Sequence, residues 1–490
     1  MKKIVEFLLG SKREPVPEAQ STHSLRTKVP VTKSFGEFSA RLPQQPPPRE
    51  HRPRFVRDEA YESSPGVREA LAAIDAGAPV VLITGRAGTG KTTLIRYLRH
   101  RPGGEKQAVV APTGVAAMNA GAQTIHSFFH FPSVFLDAKN LPEGRRFGVL
   151  YSRMTRLVID EISMVRADLL DAMDARLREI RNDPRHFGGV QVIMVGDFLQ
   201  LPPVVEQEHR PLLHALGYRS PFSFSAHVLQ NAPVSVVSLE QVHRQEEQEF
   251  IELLGRIRTG ESANEVVNVL NARCHGQHRA GVTPLLLTPT RAAADRYNRA
   301  GLAALPGEPC YFHAEITGKL EIDKDRLPVP EHLQLRVGAR VMAAKNDSQG
   351  RWINGSLGTV SRLEPKCAYV KFDRSNEEHP VTAASWEKVR QIWNHAENKI
   401  ENQVIGAYKQ LPLLPAWAIT IHKAQGLTLD DVRIDLGHGA FESGQVYVAL
   451  SRVRTIAGLS FARPLREADL KANPMVVEFM EWLETPKSIT

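Results

Sequence analysis

Short unbroken runs of apolar residues alternate with amphipathic stretches from about residue 62 onward. A first series of these apolar runs lies at 80–83, 108–110, 157–159 and 192–195. A second series follows at 234–239, 285–287, 416–421 and 432–436. Unbroken runs bounded by Gly, Pro or Asp are typical of strands buried on both faces of a parallel sheet, and the stretches between them of crossover helices. The pattern predicts an α/β fold with two parallel sheets, one for each series.

Residues 311–405 have a different pattern, because apolar and polar positions alternate or β-branched residues cluster there, at 335–342, 357–363 and 368–372. Asn354-Gly355 favours a tight turn between strands. We therefore predict a small β-barrel inserted into the second α/β domain. The domains that result are 61–225 for the first and 226–310 with 406–490 for the second. Residues 387–408 are polar, and the pattern predicts no structure for them.

The net charge of +8 is concentrated at the start of the chain. Residues 1–60 hold 12 Lys and Arg against 7 Asp and Glu, which is +5, so the other 430 residues carry only +3. Residues 10–57 are rich in Pro, Gln, Ser and Arg and lack apolar periodicity, which predicts a disordered basic arm over 1–60. Three widely spaced cysteines and the lack of any membrane-length apolar stretch lead us to expect a soluble intracellular protein, associated with the nucleoid if bacterial, with no membrane partner.

The sequence GRAGTGKT at residues 85–92 has the spacing of a phosphate-binding P-loop, with a buried strand before it and a helix after it. Its glycines let backbone N–H groups turn toward phosphate, and the helix N-terminus adds positive potential. Lys91 can reach the β- and γ-phosphates, and the Thr92 hydroxyl can bind Mg²⁺. The predicted nucleotide-binding residues are Gly85, Gly88, Thr89, Gly90, Lys91, Thr92 and Thr93.

Two carboxylates, Asp160 and Glu161, directly follow the apolar run at 157–159. We expect Asp160 to bind Mg²⁺, directly or through water, and Glu161 to orient and deprotonate an attacking water. A third run ends in the sequence GDFLQLPPV at 196–204, where Gln200 could sense the γ-phosphate. An ordinary loop between a strand and a helix fits that last segment equally well.

The chain resembles the Pif-type helicases of superfamily one over residues 62–465. The resemblance is carried by an ordered set of segments: APTGVAA at 111–117, TIHSFF at 124–129, DEISM at 160–164, FGGVQ at 187–191 leading into 196–204, LEQVHR at 239–244, TIHKAQGLT at 420–428 and QVYVALSR at 445–452. A small-molecule kinase would need only the P-loop, and a non-enzymatic DNA-binding scaffold would be expected to lack Lys91, Glu161 or an arginine partner. The ordered set therefore favours a DNA helicase over both.

The resemblance implies two RecA-like domains that hydrolyse ATP between them with Mg²⁺. It also implies a small insertion at about 132–152 and an SH3-like fold for the barrel. The expected activity is 5′-to-3′ movement on single-stranded DNA with unwinding of tailed or forked duplex, by a protein that is monomeric when free. A translocase that strips proteins from single strands remains the alternative. The arm could bind DNA or dock a protein partner.

The resemblance also implies roles for individual residues. Arg244 and Arg452 resemble the arginines that approach the γ-phosphate from the second domain, where a guanidinium stabilises charge on the phosphoryl group. Five further residues resemble those with which the family contacts the DNA backbone, namely Thr113, His126, Thr420, His422 and Lys423. Phe128 and Phe129 could include a base-stacking platform, although at least one of them is expected in the core. The glutamine with which the family contacts adenine is replaced by Arg68, which makes other nucleoside triphosphates candidate substrates.

Overall fold

The computed structural model describes residues 59–132, 135–141, 148–276, 283–318, 327–373 and 377–484. The predicted basic arm lies outside these residues except for its last two positions. Part of the predicted insertion at 132–152 lies outside them as well. None of the helices in the described residues is long and apolar enough to span a membrane.

The first α/β domain is built on a six-stranded parallel sheet in the order β3-β2-β4-β5-β1-β6. Its strands are β1 (Val80–Gly85), β2 (Gln107–Ala111), β3 (Gln123–Thr124), β4 (Arg156–Ile159), β5 (Gln191–Val195) and β6 (Val234–Leu239). The helices along this part of the chain are α1 (Glu59–Ser63), α2 (Pro65–Asp75), α3 (Lys91–His100), α4 (Gly114–Ala120), α5 (Ile125–Phe129), α6 (Val149–Arg153), α7 (Ala167–Arg181), α8 (His209–Ala215) and α9 (His227–Asn231). Every residue of β1 and β2 is buried, as their unbroken apolar runs predict.

The second α/β domain has a four-stranded parallel sheet in the order β18-β7-β19-β20. These strands are β7 (Leu285–Thr288), β18 (Ala418–Thr420), β19 (Val432–Ile434) and β20 (Leu459–Phe461). The helices here are α10 (Gln248–Thr259), α11 (Ala263–Cys274), α12 (Arg291–Ala303), α13 (Ile421–Ala424) and α14 (Gln445–Leu450). The α/β fold with two parallel sheets is thus confirmed.

Two segments predicted in the second domain belong to the first. Strand β6 pairs in parallel with β1 along its whole length. The run at 234–239 therefore belongs to the first sheet, and its predicted place in the second sheet is wrong. The C-terminal helix α15 (Pro474–Glu484) also packs on the first domain. Its Phe479 is fully buried and stacks on Phe224 with ring centroids 4.2 Å apart. An apolar run fixes a strand or a helix but not its partner, because pairing is decided by contacts distant in sequence.

The insertion between β7 and β18 is made of strands in three sheets. A five-stranded antiparallel sheet has the order β14-β13-β12-β11-β17, a three-stranded one β15-β16-β9, and β10 pairs with β8. The strands are β8 (Cys310–His313), β9 (Glu315–Gly318), β10 (His332–Leu335), β11 (Arg340–Ala343), β12 (Leu357–Glu364), β13 (Cys367–Phe372), β14 (Glu378–Thr382), β15 (Ala384–Asn394), β16 (Lys399–Gln410) and β17 (Leu413–Pro415). The predicted boundary at 405 falls inside β16, and the SH3-like form of this β domain stays a prediction.

The polar segment 387–408, for which the sequence predicts no structure, forms most of a long hairpin of β15 and β16. The hairpin lies against the edge of β2 that faces β3, because the short β3 pairs only with Val110 and Ala111 and leaves the Val109 backbone unpaired by a strand on that side. The Gln391 side chain takes that place, since its amide donates to Val109 O at 2.8 Å and its oxygen accepts from Val109 N at 3.3 Å. At this position the hairpin meets β2 through a polar side chain that satisfies backbone groups, and such a contact leaves no apolar pattern in the sequence.

Candidate active site

The P-loop connects β1 to α3 at the carboxyl edge of the first sheet. Gly88 and Gly90 have φ of 85° and 86°, a left-handed conformation that favours glycine. A Cβ on Gly88 would lie 2.7 Å from the Cβ of Arg244, so the chain leading into the second domain packs directly on the loop. Thr92 and Thr93 are exposed, whereas the Thr89 hydroxyl donates to Arg86 O within the loop at 3.0 Å.

Lys91 folds back onto the loop that precedes it. Its Nζ donates to Gly85 O at 2.6 Å and to Arg86 O at 2.8 Å. Burial lowers the pKa of Lys91, although Asp197 and Glu161 act in the opposite direction. The ammonium group is therefore held by neutral carbonyls in a confined space, an arrangement that a phosphate group could replace at both contacts.

The two adjacent carboxylates lie at the end of β4. Asp160 Oδ1 accepts from the backbone N–H of Glu161 at 2.9 Å, and burial raises the pKa of Asp160. Glu161 has a left-handed backbone with φ of 51°, uncommon for a residue with a side chain. Burial, followed by the neighbouring Asp160, raises the pKa of Glu161 to about 7. Its Oε2 accepts from Gln425 Nε2 of the second domain at 3.1 Å.

Two arginines reach the same place from outside the first domain's sheet. Arg452 is only 2% exposed, and its side chain donates to Val448 O at 2.8 Å and to Ser451 Oγ at 2.7 Å. Arg244 donates to Ser451 O at 3.0 Å. Burial, followed by Arg244, lowers the pKa of Arg452 to about 9. A buried guanidinium bonded to neutral oxygens is energetically costly, and an anion in the cleft would relieve that cost.

Asp197, directly after β5, is the centre of a buried polar network. Its carboxylate accepts from Gln200 Nε2 at 3.1 Å, from Arg258 at 3.1 Å and from Tyr447 Oη at 3.3 Å. Burial alone would raise the pKa of Asp197, but Arg258 and Lys91 outweigh it and hold that pKa below its ordinary value. Tyr447 Oη also accepts from the backbone N–H of Ala87 at 3.0 Å, which joins the second domain to the P-loop.

Threonines cap short helices where parallel strands of both sheets end. Thr124 accepts from Ser127 N at the start of α5, and Thr420 accepts from Lys423 N at the start of α13, both at 3.2 Å. Thr113 accepts from Ala116 N in the same way at 3.2 Å. A hydroxyl oxygen that accepts a hydrogen bond can still donate its own proton, so each of these threonines could also bind an acceptor such as a phosphate oxygen.

The other predicted DNA contacts lie on these short helices. His126 is half-buried on α5. On α13, His422 is half-buried and Lys423 is exposed. Burial lowers the pKa of His422, so its imidazole is neutral near pH 7.

Comparisons with known proteins place this geometry in a family. The PIF1-like helicase family model matches residues 67–268. The ATP-dependent DNA helicase Pif1 of Bdellovibrio bacteriovorus is 32% identical over 407 residues, which cover 81% of this chain and 87% of that protein. The chain belongs to the PIF1-like helicase family. The resemblance drawn from the sequence segments is thereby confirmed.

Solved structures of the family share the fold. Pif1 from Bacteroides sp in complex with ADP-AlF4 has a TM-score of 0.78 and 34% identity, with 85% of this chain and 96% of that chain covered. The same protein bound to single-stranded DNA has a TM-score of 0.63 at the same coverage. The ATP-dependent DNA helicase PIF1 of Mus musculus is 36% identical over 395 residues and 77% of this chain, but the match spans only 57% of that relative.

One predicted DNA contact is wrong. Phe128 is 1% exposed and packs edge-on against Phe129, with ring centroids 5.0 Å apart. Phe129 is fully buried as well, so neither ring has a face available to a DNA base. The apolar pair anchors α5 in the core of the first domain, because two large rings gain more from burial than from partial exposure.

Four residues of the site have no role predicted from the sequence. Asp197, Gln425 and Tyr447 lie inside the segments that carry the family resemblance, and that position is the signal that points to them. Arg258, on α10, lies outside every such segment and forms a buried ion pair with Asp197. Its partner is 61 positions away, and the sequence pattern around Arg258 offers no sign of the contact.

Proposed function

We propose that the protein is an ATP-driven DNA motor that moves 5′-to-3′ on single-stranded DNA and unwinds duplex. The observation that carries the proposal is the position of two arginines, with Arg244 packed against Gly88 of the P-loop and Arg452 close enough to interact electrostatically with Glu161. A nucleotide bound by the first domain would have its γ-phosphate facing cations that the rest of the chain supplies. Closure of such a cleft can couple hydrolysis to movement between the domains.

The side chains around the P-loop fit an ATP–Mg²⁺ complex. The exposed Thr92 hydroxyl and the Asp160 carboxylate are oxygen ligands of the kind Mg²⁺ prefers, and they would hold the ion. Bound there, Mg²⁺ would neutralise charge on the β- and γ-phosphates. Lys91 would exchange its loop carbonyls for phosphate oxygens, Glu161 would take the proton of the attacking water, and Gln200 would sense the γ-phosphate. The Bacteroides relative crystallised in complex with ADP-AlF4 supports nucleotide binding by this chain.

The threonine hydroxyls and the neighbouring cations form the proposed DNA contact. Thr113 and His126 would bind backbone oxygens from the first domain, and Thr420, His422 and Lys423 from the second. The Bacteroides relative crystallised with single-stranded DNA supports the first of these partners, and a Pif1 structure that describes unwinding at forked duplex supports the second. Because contacts come from both domains, a change in their separation would move one set along the strand. A single chain suffices for this cycle, so we propose a monomeric free state.

Nucleotide selectivity is proposed to be relaxed. Arg68, at the position of the family's adenine-binding glutamine, is exposed on α2. An arginine has no acceptor with which to receive a hydrogen bond from the adenine amino group. We therefore expect GTP and ATP to be hydrolysed with kcat/KM values that differ by less than about tenfold.

The arm over residues 1–60 is proposed to add salt-dependent, sequence-independent DNA affinity. Its charge of +5 is most of the excess of the chain. Deleting it should flatten the dependence of log Kd on log salt concentration and leave the DNA-saturated ATPase rate unchanged. An unchanged salt slope would favour a protein partner for the arm.

The deciding experiment has two stages. ATPase turnover is first measured with and without single-stranded DNA, and a rate that DNA leaves unchanged would refute the motor. Single-turnover unwinding is then compared on 5′-tailed, 3′-tailed and blunt duplexes, with unwinding expected only from the 5′ tail. Stimulated ATPase without unwinding of any duplex would instead support the alternative, a translocase that removes proteins from single strands.

A further inference from the structure

Gln425 makes a direct contact between the proposed DNA-binding segment and the proposed general base. Its Nε2 lies 3.1 Å from Oε2 of Glu161, across the cleft between the domains. Gln425 is the residue directly after α13, the short helix that carries His422 and Lys423. Two peptide bonds therefore separate a side chain proposed to bind DNA from one that holds the carboxylate.

Hydrogen bonds within the turn tie Gln425 to α13. Thr420 caps the first turn through Lys423 N, and Gln425 N donates to His422 O at 3.2 Å. The next residue, Gly426, has a left-handed φ of 81°, and a Cβ placed there would meet nothing within 4 Å. The turn is thus tied to α13 on one side and bordered by open space on the other, so a displacement of the helix would move Gln425 with it.

The contact affects the chemistry of Glu161. A carboxylate oxygen that accepts a hydrogen bond from an amide is held in one orientation, and a water must displace the amide before it can bind that oxygen. Gln425 Nε2 thus occupies Oε2, one of the two Glu161 oxygens to which an attacking water could donate. Withdrawal of the amide would free this oxygen for the water without any change in the P-loop.

We propose that Gln425 is a positioning residue that restrains Glu161 until DNA binds α13 and withdraws the amide. This inference rests on the proposed function, because it assumes that DNA stimulates hydrolysis. According to this inference, one hydrogen bond keeps ATP hydrolysis slow when DNA is absent. If domain closure alone controlled hydrolysis, the distance between the domains would set that rate instead.

The test is Gln425→Met, which keeps the length of the side chain and removes its hydrogen-bond donors. We expect the DNA-free kcat for ATP to rise about tenfold, the equivalent of one hydrogen bond to a charged group. The DNA-saturated kcat should stay within about twofold of wild type, and the KM for ATP should not change. Gln349→Met, at an exposed loop position of the β domain, is the matched control and should leave all three values unchanged.

The outcomes separate the inference from the function on which it rests. A wild-type enzyme that DNA does not stimulate would refute the proposed function, whatever Gln425 does. A stimulated wild type combined with an unchanged or lowered DNA-free kcat in Gln425→Met would overturn the inference alone. A purely structural role would lower both rates together, which also overturns it. If the methionine variant does not fold, Gln425→Asn, one methylene shorter, carries the same expectation.

Discussion

Replacing Arg452 with methionine is expected to abolish turnover and yet to stabilise the nucleotide-free protein. Burial, followed by the neighbouring Arg244, lowers the pKa of this guanidinium from its ordinary value to about 9. At pH 7 the group is charged in both the folded and the unfolded chain. The lowered pKa therefore corresponds to a destabilisation of the folded state by roughly 5 kcal/mol.

Two hydrogen bonds offset part of that cost. Arg452 donates to Val448 O and to Ser451 Oγ, and each bond contributes roughly 1 to 1.5 kcal/mol. Methionine fills similar volume without charge, so the free energy of unfolding should rise by about 2 kcal/mol. Turnover should fall on the order of a thousandfold or more, because methionine lacks the positive charge with which Arg452 would stabilise the transferring phosphoryl group.

Thermal unfolding and steady-state ATPase with saturating DNA measure the two effects. A non-hydrolysable ATP analogue should raise the Tm of wild type more than that of Arg452→Met, since the analogue relieves the buried charge. Arg185→Met, at an exposed position, is the control and should change neither Tm nor turnover appreciably. Turnover within tenfold of wild type would remove Arg452 from the active site, and a lower Tm would refute the burial argument.

Three further predictions concern other parts of the site. Lys91→Ala should raise KM for ATP and lower kcat, whereas Glu161→Gln should keep ATP and DNA affinity and lose turnover by roughly two to four orders of magnitude. Near-normal ATPase in the second variant would show that the base lies elsewhere. Lys423→Ala should reduce the salt slope of single-stranded DNA binding by about 0.7, and His422→Ala should weaken binding at an unchanged slope because its imidazole is neutral. Equal slopes in both variants would contradict this. Phe128→Ala should lower the free energy of unfolding by about 3 to 5 kcal/mol in denaturant titrations, and a fully stable variant would contradict its burial.

Parts of the site that depend on neighbouring residues could be predicted from the sequence. The P-loop is one such part, because its strand, its glycines and Lys91 are consecutive and their spacing sets their geometry. Asp160 and Glu161 are another, since a carboxylate directly after a buried parallel strand must lie at the carboxyl edge of the sheet. The two sheets followed from unbroken apolar runs for the same local reason.

Contacts between distant segments could be settled only in three dimensions. The run at 234–239 predicted a strand, but its pairing with β1 depends on which sheet edge is free. Phe128 was equally suited to a DNA base or to the core, and packing against Phe129 decided for the core. The meeting of Gln425 with Glu161 joins residues 264 positions apart. Local spacing therefore determined which chemical groups this protein has, and tertiary packing decided which of them meet, because energies of pairing and burial depend on neighbours that the sequence does not place side by side.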